Sequence, residues 1–427
     1  MNKPKCQNQA HPLILVTANS AWNIYSRKRL LTALQKSGYD VIGMGAAGSV
    51  SGTKQSFTKE SSQPESEGKS VTVSTSPNDP YAEKLFTETG IPFLPLPMEG
   101  DGTKMLKDIN LFSLFCKIYR TRKPAAVLHF NNKPNIYGSI AAALHGIPSI
   151  NNVTGLGVVA EKKGITASVV YFLYRLAFAS KKTFVFFQNG DDRQFFLERK
   201  LVPQRRTGLL PGSGVDTERF KPQLTKNSEA ESSGTIEAER SVHFLFNGRL
   251  LITKGICNYI DAAYIVKKMY PKTEFAVIGE HDAKNPIFIP WERLQTAITD
   301  GTISWYGLVP DVVPYVQYAD CVVLPSYYRE GVPRVLLEAA AMGKALIAAD
   351  SIGTKEPVED GKNGYLTPPS DTASLADTML RYIRLSAAEK RQMGTVSRTI
   401  AETRFSDTII INSYLERLTA AVSSRER

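Results

Sequence analysis

Cysteine is scarce in this chain: four residues in 427, Cys6, Cys116, Cys257 and Cys321, with no CxxC pair among them. Such spacing offers neither a disulfide framework nor a thiolate metal site, and it suits reduced thiols in a cytoplasmic compartment. Long apolar runs are lacking too. No uninterrupted stretch of about 20 apolar residues occurs, so no segment is expected to span a bilayer. The N-terminal MNKPKCQNQAHPLILV has too short an apolar run, and no small-residue cleavage site, for a secretory signal. Asp-x-Asp is missing throughout, so no metal is expected to bridge a bound diphosphate. The turns in ILVTANSAW and FLFNGRLLITKG lack the GxGxxG that a nicotinamide dinucleotide requires. No helix-turn-helix, finger or aromatic-basic signature points to nucleic acid.

What is present is a chain long enough for two domains, with 42% apolar residues to build their cores. The net charge of +11 is unevenly spread. Residues 1–222 hold 29 basic and 16 acidic side chains, whereas the remainder is close to neutral. A basic first half attracts phosphate-bearing partners such as anionic lipid headgroups or a diphosphate. Strand-like and helix-like segments alternate through both halves: Leu13–Thr17, Ser26–Ser37, Val41–Met44, Ala125–Phe130 and Thr183–Gln188 in the first, His243–Phe246, Lys254–Met269, Cys321–Leu324, Pro333–Met342 and Ala345–Ala348 in the second. This rhythm predicts an α/β protein of two doubly wound Rossmann-like domains facing across a cleft. The expected boundaries are 1–222, with a Ser-rich insertion at about 49–76, a linker at 223–239, a second domain at 240–405, and a C-terminal helix over 406–427 that packs back on the first domain. One segment, Ala167–Ala179, is apolar nearly all round and flanked by Lys162, Lys163, Lys181 and Lys182. It is either a buried core helix or an interfacial helix gripping an anionic membrane.

The chemistry concentrates in the second half. In FNGRLLITKG, Arg249 falls on a strand-to-helix loop and Lys254 near the helix start, while Gly248 and Gly255 permit close backbone approach. Two cations beside a helix N-terminus make a receptor for a diphosphate. In PSYYREGVPRVLLEAAAMGKALIAAD, Glu330 precedes a Gly-Val-Pro turn, and Glu338 lies five residues beyond Pro333, about 7.5 Å along the helix axis. A carboxylate set among Leu and Ala is costly without a partner, and sugar hydroxyls are suitable partners.

Together these two stretches, with EGVPRVLLE at their centre, resemble the retaining family 4 glycosyltransferases of the GT-B fold. In the first half YSRKRLLTAL, KPNIYGSIAAA, VTGLG and PGSGVDTERF are similar to the capsular-polysaccharide and N-glycan-pathway transferases that extend a polyprenyl-diphosphate-linked sugar. The resemblance implies a UDP-sugar donor with no further cofactor. Arg249 and Lys254 would hold its diphosphate, Glu338 the ribose hydroxyls, and Glu330 the transferred sugar, beside Gly248 and the backbone of Gly331 and Val332. It implies acceptor contacts at Arg27, Asn131, Lys133, Thr154 and Gly155, with Asn131 standing where relatives often carry Thr. From its own position at a strand end, His129 is either a sugar contact or, the more common outcome for such a residue, a satisfied core histidine. The implied setting is the cytoplasmic face of an anionic membrane. The competing readings are a non-catalytic membrane-surface protein on the same scaffold and a transferase using a GDP-sugar and a soluble acceptor.

Overall fold

The computed structural model describes residues 11–46, 79–98, 105–156, 164–222 and 241–426. The Ser-rich insertion, the linker, Cys6, Gly157 and the lysines at 162 and 163 lie outside them. Two parallel sheets carry the fold. The first runs through β1 (Leu13–Thr17), β2 (Asp40–Gly45), β3 (Phe93–Pro95), β4 (Ala126–Phe130), β5 (Ser149–Val153), β6 (Thr183–Phe187) and β7 (Thr207–Leu209). Its strand order is 3-2-1-4-5-6-7. The second holds β8 (His243–Asn247), β9 (Glu274–Ile278), β10 (Ser304–Trp305), β11 (Cys321–Leu324), β12 (Ala345–Ala349) and β13 (Gly364–Thr367), in the order 10-9-8-11-12-13. Both orders reverse direction beside the first strand of their sheet, at β1/β4 and at β8/β11. Ligands of doubly wound sheets bind at such switch points, beyond the carboxyl ends of the strands.

Helices cover both faces of each sheet. In the first half these are α1 (Ala21–Tyr25), α2 (Lys28–Lys36), α3 (Pro80–Thr89), α4 (Met105–Arg122), α5 (Ser139–Leu144), α6 (Gly164–Ala177) and α7 (Gly190–Glu198). The second half adds α8 (Ile256–Met269), α9 (Trp291–Thr299), α10 (Val313–Tyr318), α11 (Arg334–Ala341), α12 (Thr372–Ile383), α13 (Ala387–Arg404) and α14 (Asp407–Glu426). Their ends follow local chemistry. Asp79 caps α3 by accepting from the amides of Tyr81 and Ala82, Pro80 fills its first position, and Gly90 ends it in a left-handed turn. Ser386 and Glu389 close a reciprocal capping box on α13.

Several elements depart from the sequence pattern. The sequence pattern predicts a helix over Ile136–Leu144; the chain instead enters it through one π-helical turn, Pro134–Gly138, before α5. There Gly138 is pressed against His129, since a Cβ would lie 2.8 Å from the imidazole Cε1. Residues Gly43 to Gly48 spell G-x-G-x-x-G, a spacing the sequence reading passed over. Gly43 and Gly45 lie inside β2 rather than in the turn after it, where a Cβ would meet Ile24 and the backbone of Ala18. These glycines serve helix–sheet packing. The apolar segment of the first half forms α6, which is buried on one side only: Ala167, Tyr174 and Ala177 are buried, while Val169, Phe172 and Leu176 are exposed.

The last helix returns to the first sheet. Ile410, Tyr414 and Leu418 of α14 share a core with Ile14, Val16, Leu34, Phe130 and Phe186, and the Asn152 side chain donates to the Tyr414 hydroxyl at 2.7 Å. The two strands of chain that join the halves run side by side, with a parallel bridge between Val215 and Ser406. Arg29 bridges Asp216 at 2.5 Å and Asp407 at 3.1 Å across this crossing. Burial pushes the Asp407 carboxyl up to about 6, against the pull of Arg29 and with help from Asp216. A raised carboxyl pKa means the folded state holds the proton more tightly, so this contribution to stability is lost as pH rises from about 4 to about 6. Thermal melts across that window are expected to show the fall in wild type and a flatter profile in Asp407→Asn.

Candidate active site

The site grows from the loop after β8. The Gly248 amide donates to Ile278 O at 3.0 Å and the Leu250 amide to Glu280 O at 3.0 Å, which ties this loop against the one after β9. Arg249 between them is exposed and has no ion-pair partner among the described residues. A single 3-10 turn, Ile252–Lys254, then ends at Gly255 with φ +79°. A side chain on Gly255 would strike the backbone of Pro325. That close approach seats Lys254 beside the Pro325–Glu330 loop. Lys254 Nζ lies 2.6 Å from Glu330 Oε2, and the Ser326 hydroxyl donates to Glu330 Oε1 at 2.6 Å. Both partners of the ion pair are largely buried, at 19% and 12% side-chain exposure.

Glu338 sits one turn along α11 from Arg334, 3.7 Å from its guanidinium. Burial raises the Glu338 carboxyl pKa, and Arg334 and Arg219 oppose the rise. Such a carboxyl is ready to accept hydroxyl hydrogen bonds in place of water. The four charged residues named from sequence for the donor side, Arg249, Lys254, Glu330 and Glu338, therefore lie on two neighbouring loops and one helix at the β8/β11 switch point. The amides of Gly331 and Val332, expected near the sugar, are engaged elsewhere: Gly331 donates to Thr154 O at 3.2 Å and Val332 to Gln188 Oε1 at 3.2 Å.

On the facing side, Asn131 takes φ +71° at the end of β4. Its Oδ1 accepts from the Asn19 amide and its Nδ2 donates to Thr154 Oγ1, each at 3.3 Å. Asn131 thus ties together the loops after β1, β4 and β5. Lys133 is 2.9 Å from the buried Asp108, which also accepts from the Tyr137 hydroxyl at 3.1 Å. Its charge is answered within the first domain. Arg27 donates to Asn23 O at 2.6 Å and lies 4.3 Å from the centre of the Phe130 ring. Burial and the nearby Arg334 lower it to about 10. His129 is not at the surface of the cleft. It is fully buried, bonded to the Tyr119 hydroxyl at 2.8 Å and to Asn151 Oδ1 at 3.1 Å, and burial lowers it to about 4. It is a satisfied core histidine, the more common of the two outcomes for such a residue, and not a sugar contact.

The two halves meet without space between their backbones. Gly155, at φ +110°, lies so near Gly331 and Glu330 that any side chain would strike them, and a side chain on Gly353 would do the same from the other direction. Around this seam stand residues that sequence reasoning missed. Asn189 donates to Glu330 O at 3.4 Å, and the fully buried Asp192 accepts from Arg329 Nε at 2.7 Å. In the sequence, QNGDD reads as an ordinary helix start, and Asn189 does cap α7 by accepting from the Asp192 amide.

Residues 241–384, which contain all four donor-side positions, match the family model described as "Glycosyl transferases group 1". The chain is 24% identical over 347 residues to the N,N'-diacetylbacillosaminyl-diphospho-undecaprenol alpha-1,3-N-acetylgalactosaminyltransferase of Campylobacter jejuni, covering 80% of this chain and 88% of that one. It is 25% identical over 65% of its length to the UDP-Gal:alpha-D-GlcNAc-diphosphoundecaprenol alpha-1,3-galactosyltransferase of Escherichia coli, covering 71% of it. The chain is a glycosyltransferase. Its fold is that of Anabaena HepE, solved in complex with UDP and glucose, with a TM-score of 0.71 over 96% of this chain and 100% of the other at 19% identity. In this GT-B architecture the backbone contact at the seam brings the loops of the two sheets together. Gly155→Ala is expected to destabilise the enzyme by about 1–3 kcal/mol through left-handed strain and collision with Gly331. Gly301→Ala, at φ +72° with open space around it, is the control and should shift the unfolding midpoint less.

Proposed function

We propose that this glycosyltransferase moves a sugar, with retention of configuration, from a UDP-sugar to a polyprenyl-diphosphate-linked sugar in surface-polysaccharide or glycan assembly. The observation that carries the donor half is the Lys254–Glu330 pair at 2.6 Å, on the loops that also carry the exposed Arg249, at a switch point. When a nucleotide-sugar enters, its diphosphate takes over Lys254 and Arg249, and Glu330 is released to the sugar hydroxyls. Two cations then neutralise charge on the departing UDP as the glycosidic bond breaks, and no metal is required for that. Glu338 accepts from the ribose. The UDP and undecaprenyl-diphosphate groups in the names of the Escherichia coli and Campylobacter jejuni relatives support this choice of donor and acceptor.

An acceptor of that class lies at a membrane, and the outer face of α6 suits one. Val169, Phe172 and Leu176 line one stripe at 51%, 62% and 46% exposure. Arg175 stands beside them, hydrogen-bonded to Arg199 O, and Lys181, Lys182, Lys200 and Arg205 are exposed nearby. An apolar stripe ringed by cations sinks into the headgroup layer of an anionic bilayer. Among the described residues no helix is long and apolar enough to cross it. We therefore read the enzyme as peripheral on the cytoplasmic face.

Calorimetry against UDP, GDP and ADP tests the donor site. Selective binding of UDP, lost by at least about ten-fold in Lys254→Ala, is the expected result. Preference for GDP would instead support the GDP-sugar reading. Glu338→Ala should abolish transfer with the fold intact, and full turnover in both variants would remove the proposed site. The membrane contact is tested by sedimentation with phosphatidylglycerol vesicles. Binding should weaken as salt rises. Phe172→Ser should lower it by roughly ten- to hundred-fold, the worth of about 1.5–3 kcal/mol of buried aromatic surface.

A further inference from the structure

Hydrogen bonds from the first domain reach the Glu330 loop from two short segments: the turn after β5 and the residues that lead from β6 into α7. The second of these supplies three side chains, Gln188, Asn189 and Asp192, and all three are buried. Gln188 accepts from the Val332 amide at 3.2 Å while its own Nε2 donates to Ser213 Oγ at 3.0 Å, so the orientation of its amide is set by two partners. Asn189 divides its Nδ2 between Asp192 Oδ2 at 3.1 Å and Glu330 O at 3.4 Å. Asp192 takes Arg329 Nε at 2.7 Å. These bonds fall on Arg329, Glu330 and Val332, consecutive with the carboxylate that faces Lys254. Within the second domain the same loop is held by Ser326 and Lys254 at the Glu330 carboxylate, by Thr253 O, which accepts from the Tyr327 amide and the Ser326 hydroxyl, and by the Ser351 hydroxyl, which donates to Ser326 O.

We infer that Gln188, Asn189 and Asp192 are positioning residues for transfer, through which the acceptor domain sets the geometry of the donor-side Glu330. The inference rests on the reading of Glu330 as the carboxylate that meets the transferred sugar. Its physical content is that the donor site is complete only with the halves in contact. Separating them strips the Glu330 loop of its acceptors for Val332 and Gly331 and of the anion that neutralises Arg329. A loop freed in this way places its carboxylate loosely, and transfer is sensitive to such misplacement where binding of the nucleotide is not. Glue between domains would produce a different signature, because it would alter stability and donor affinity without acting through one carboxylate.

The test uses the full-length enzyme and the UDP-sugar that releases UDP fastest among a panel of such donors, with calorimetric UDP affinity as a second readout. Gln188→Ala removes the acceptor for the Val332 amide, and Gln188→Glu keeps one. The expected result is a fall in kcat of at least about ten-fold in Gln188→Ala, with donor KM and UDP affinity within about two-fold of wild type. Gln188→Glu should restore most of the rate. Asp192→Asn should behave as Gln188→Ala does. In a Glu330→Gln background, adding Gln188→Ala should cost nothing more, since the residue it positions is already disabled. Losses that multiply in the double variant, or an unaffected kcat in Gln188→Ala beside a crippled Glu330→Gln, would overturn the inference. Full activity in Glu330→Gln, or no UDP release from any donor, would instead overturn the reading of the donor site on which it stands.

Discussion

Between the loop after β5 and the loop after β11 two backbones touch, and neither can carry a side chain there. Gly155 donates no volume, Gly331 gives its amide to Thr154 O, and Gly353 closes the far side of the same loop. Left-handed backbone at Gly155 and Gly353 is what lets the approach occur. The remaining geometry follows from it. With the backbones in contact, Gln188 reaches the Val332 amide, Asp192 reaches Arg329, and Arg334 extends across to Ser26 O at 3.4 Å and the Trp22 ring. Wider glycine-free loops would hold the two sheets apart and leave each switch point facing solvent.

Charge is arranged around the seam with a similar economy. Asp192 is fully buried, and burial alone would favour its neutral form; Arg329 and Asn189 counter that. Lys254 and Glu330 neutralise each other, and Lys133 is neutralised by Asp108. Arg27 and Arg334, from opposite halves, are brought near enough that Arg334 disfavours the charge of Arg27, which is held in place by the Phe130 ring and the Asn23 carbonyl. The cleft therefore keeps cations in reserve, most of them partnered within the protein, with Arg249 exposed at its edge.

The donor half was the more readable part of the sequence, because its signals are local. Strands such as Glu274–Ile278 and Cys321–Leu324 are short apolar runs bounded by turns, and they occur where the pattern puts them. Glu330, Glu338, Arg249 and Lys254 belong to two contiguous motifs, and the fold needs only one switch point to gather them. The edge strands β3 and β13 and helix α9 escaped notice, since three or four residues carry little periodicity and WERLQTAIT follows a Pro-rich loop without a side-chain cap. The acceptor side was less legible for a different reason. Lys133 looks like a free cation in sequence, and only the fold brings it to Asp108, 25 residues earlier. His129 looks like a strand-end ligand until Tyr119 and Asn151 close around it. Gln188 and Asp192 have partners more than 130 residues away, at Val332 and Arg329. No spacing rule relates them.

The return of α14 to the first sheet has a consequence for how the gene can be cut. The first domain is encoded in two pieces, one before the second sheet and one after it, since Ile410, Tyr414 and Leu418 fill a core whose other walls lie before residue 211. A chimaera that exchanges the donor half for that of a relative must keep the final helix with its original host. A fusion point placed after α14 would import a foreign helix against Phe130 and Phe186. A cut near Phe405, beside the Val215–Ser406 bridge, leaves both cores whole.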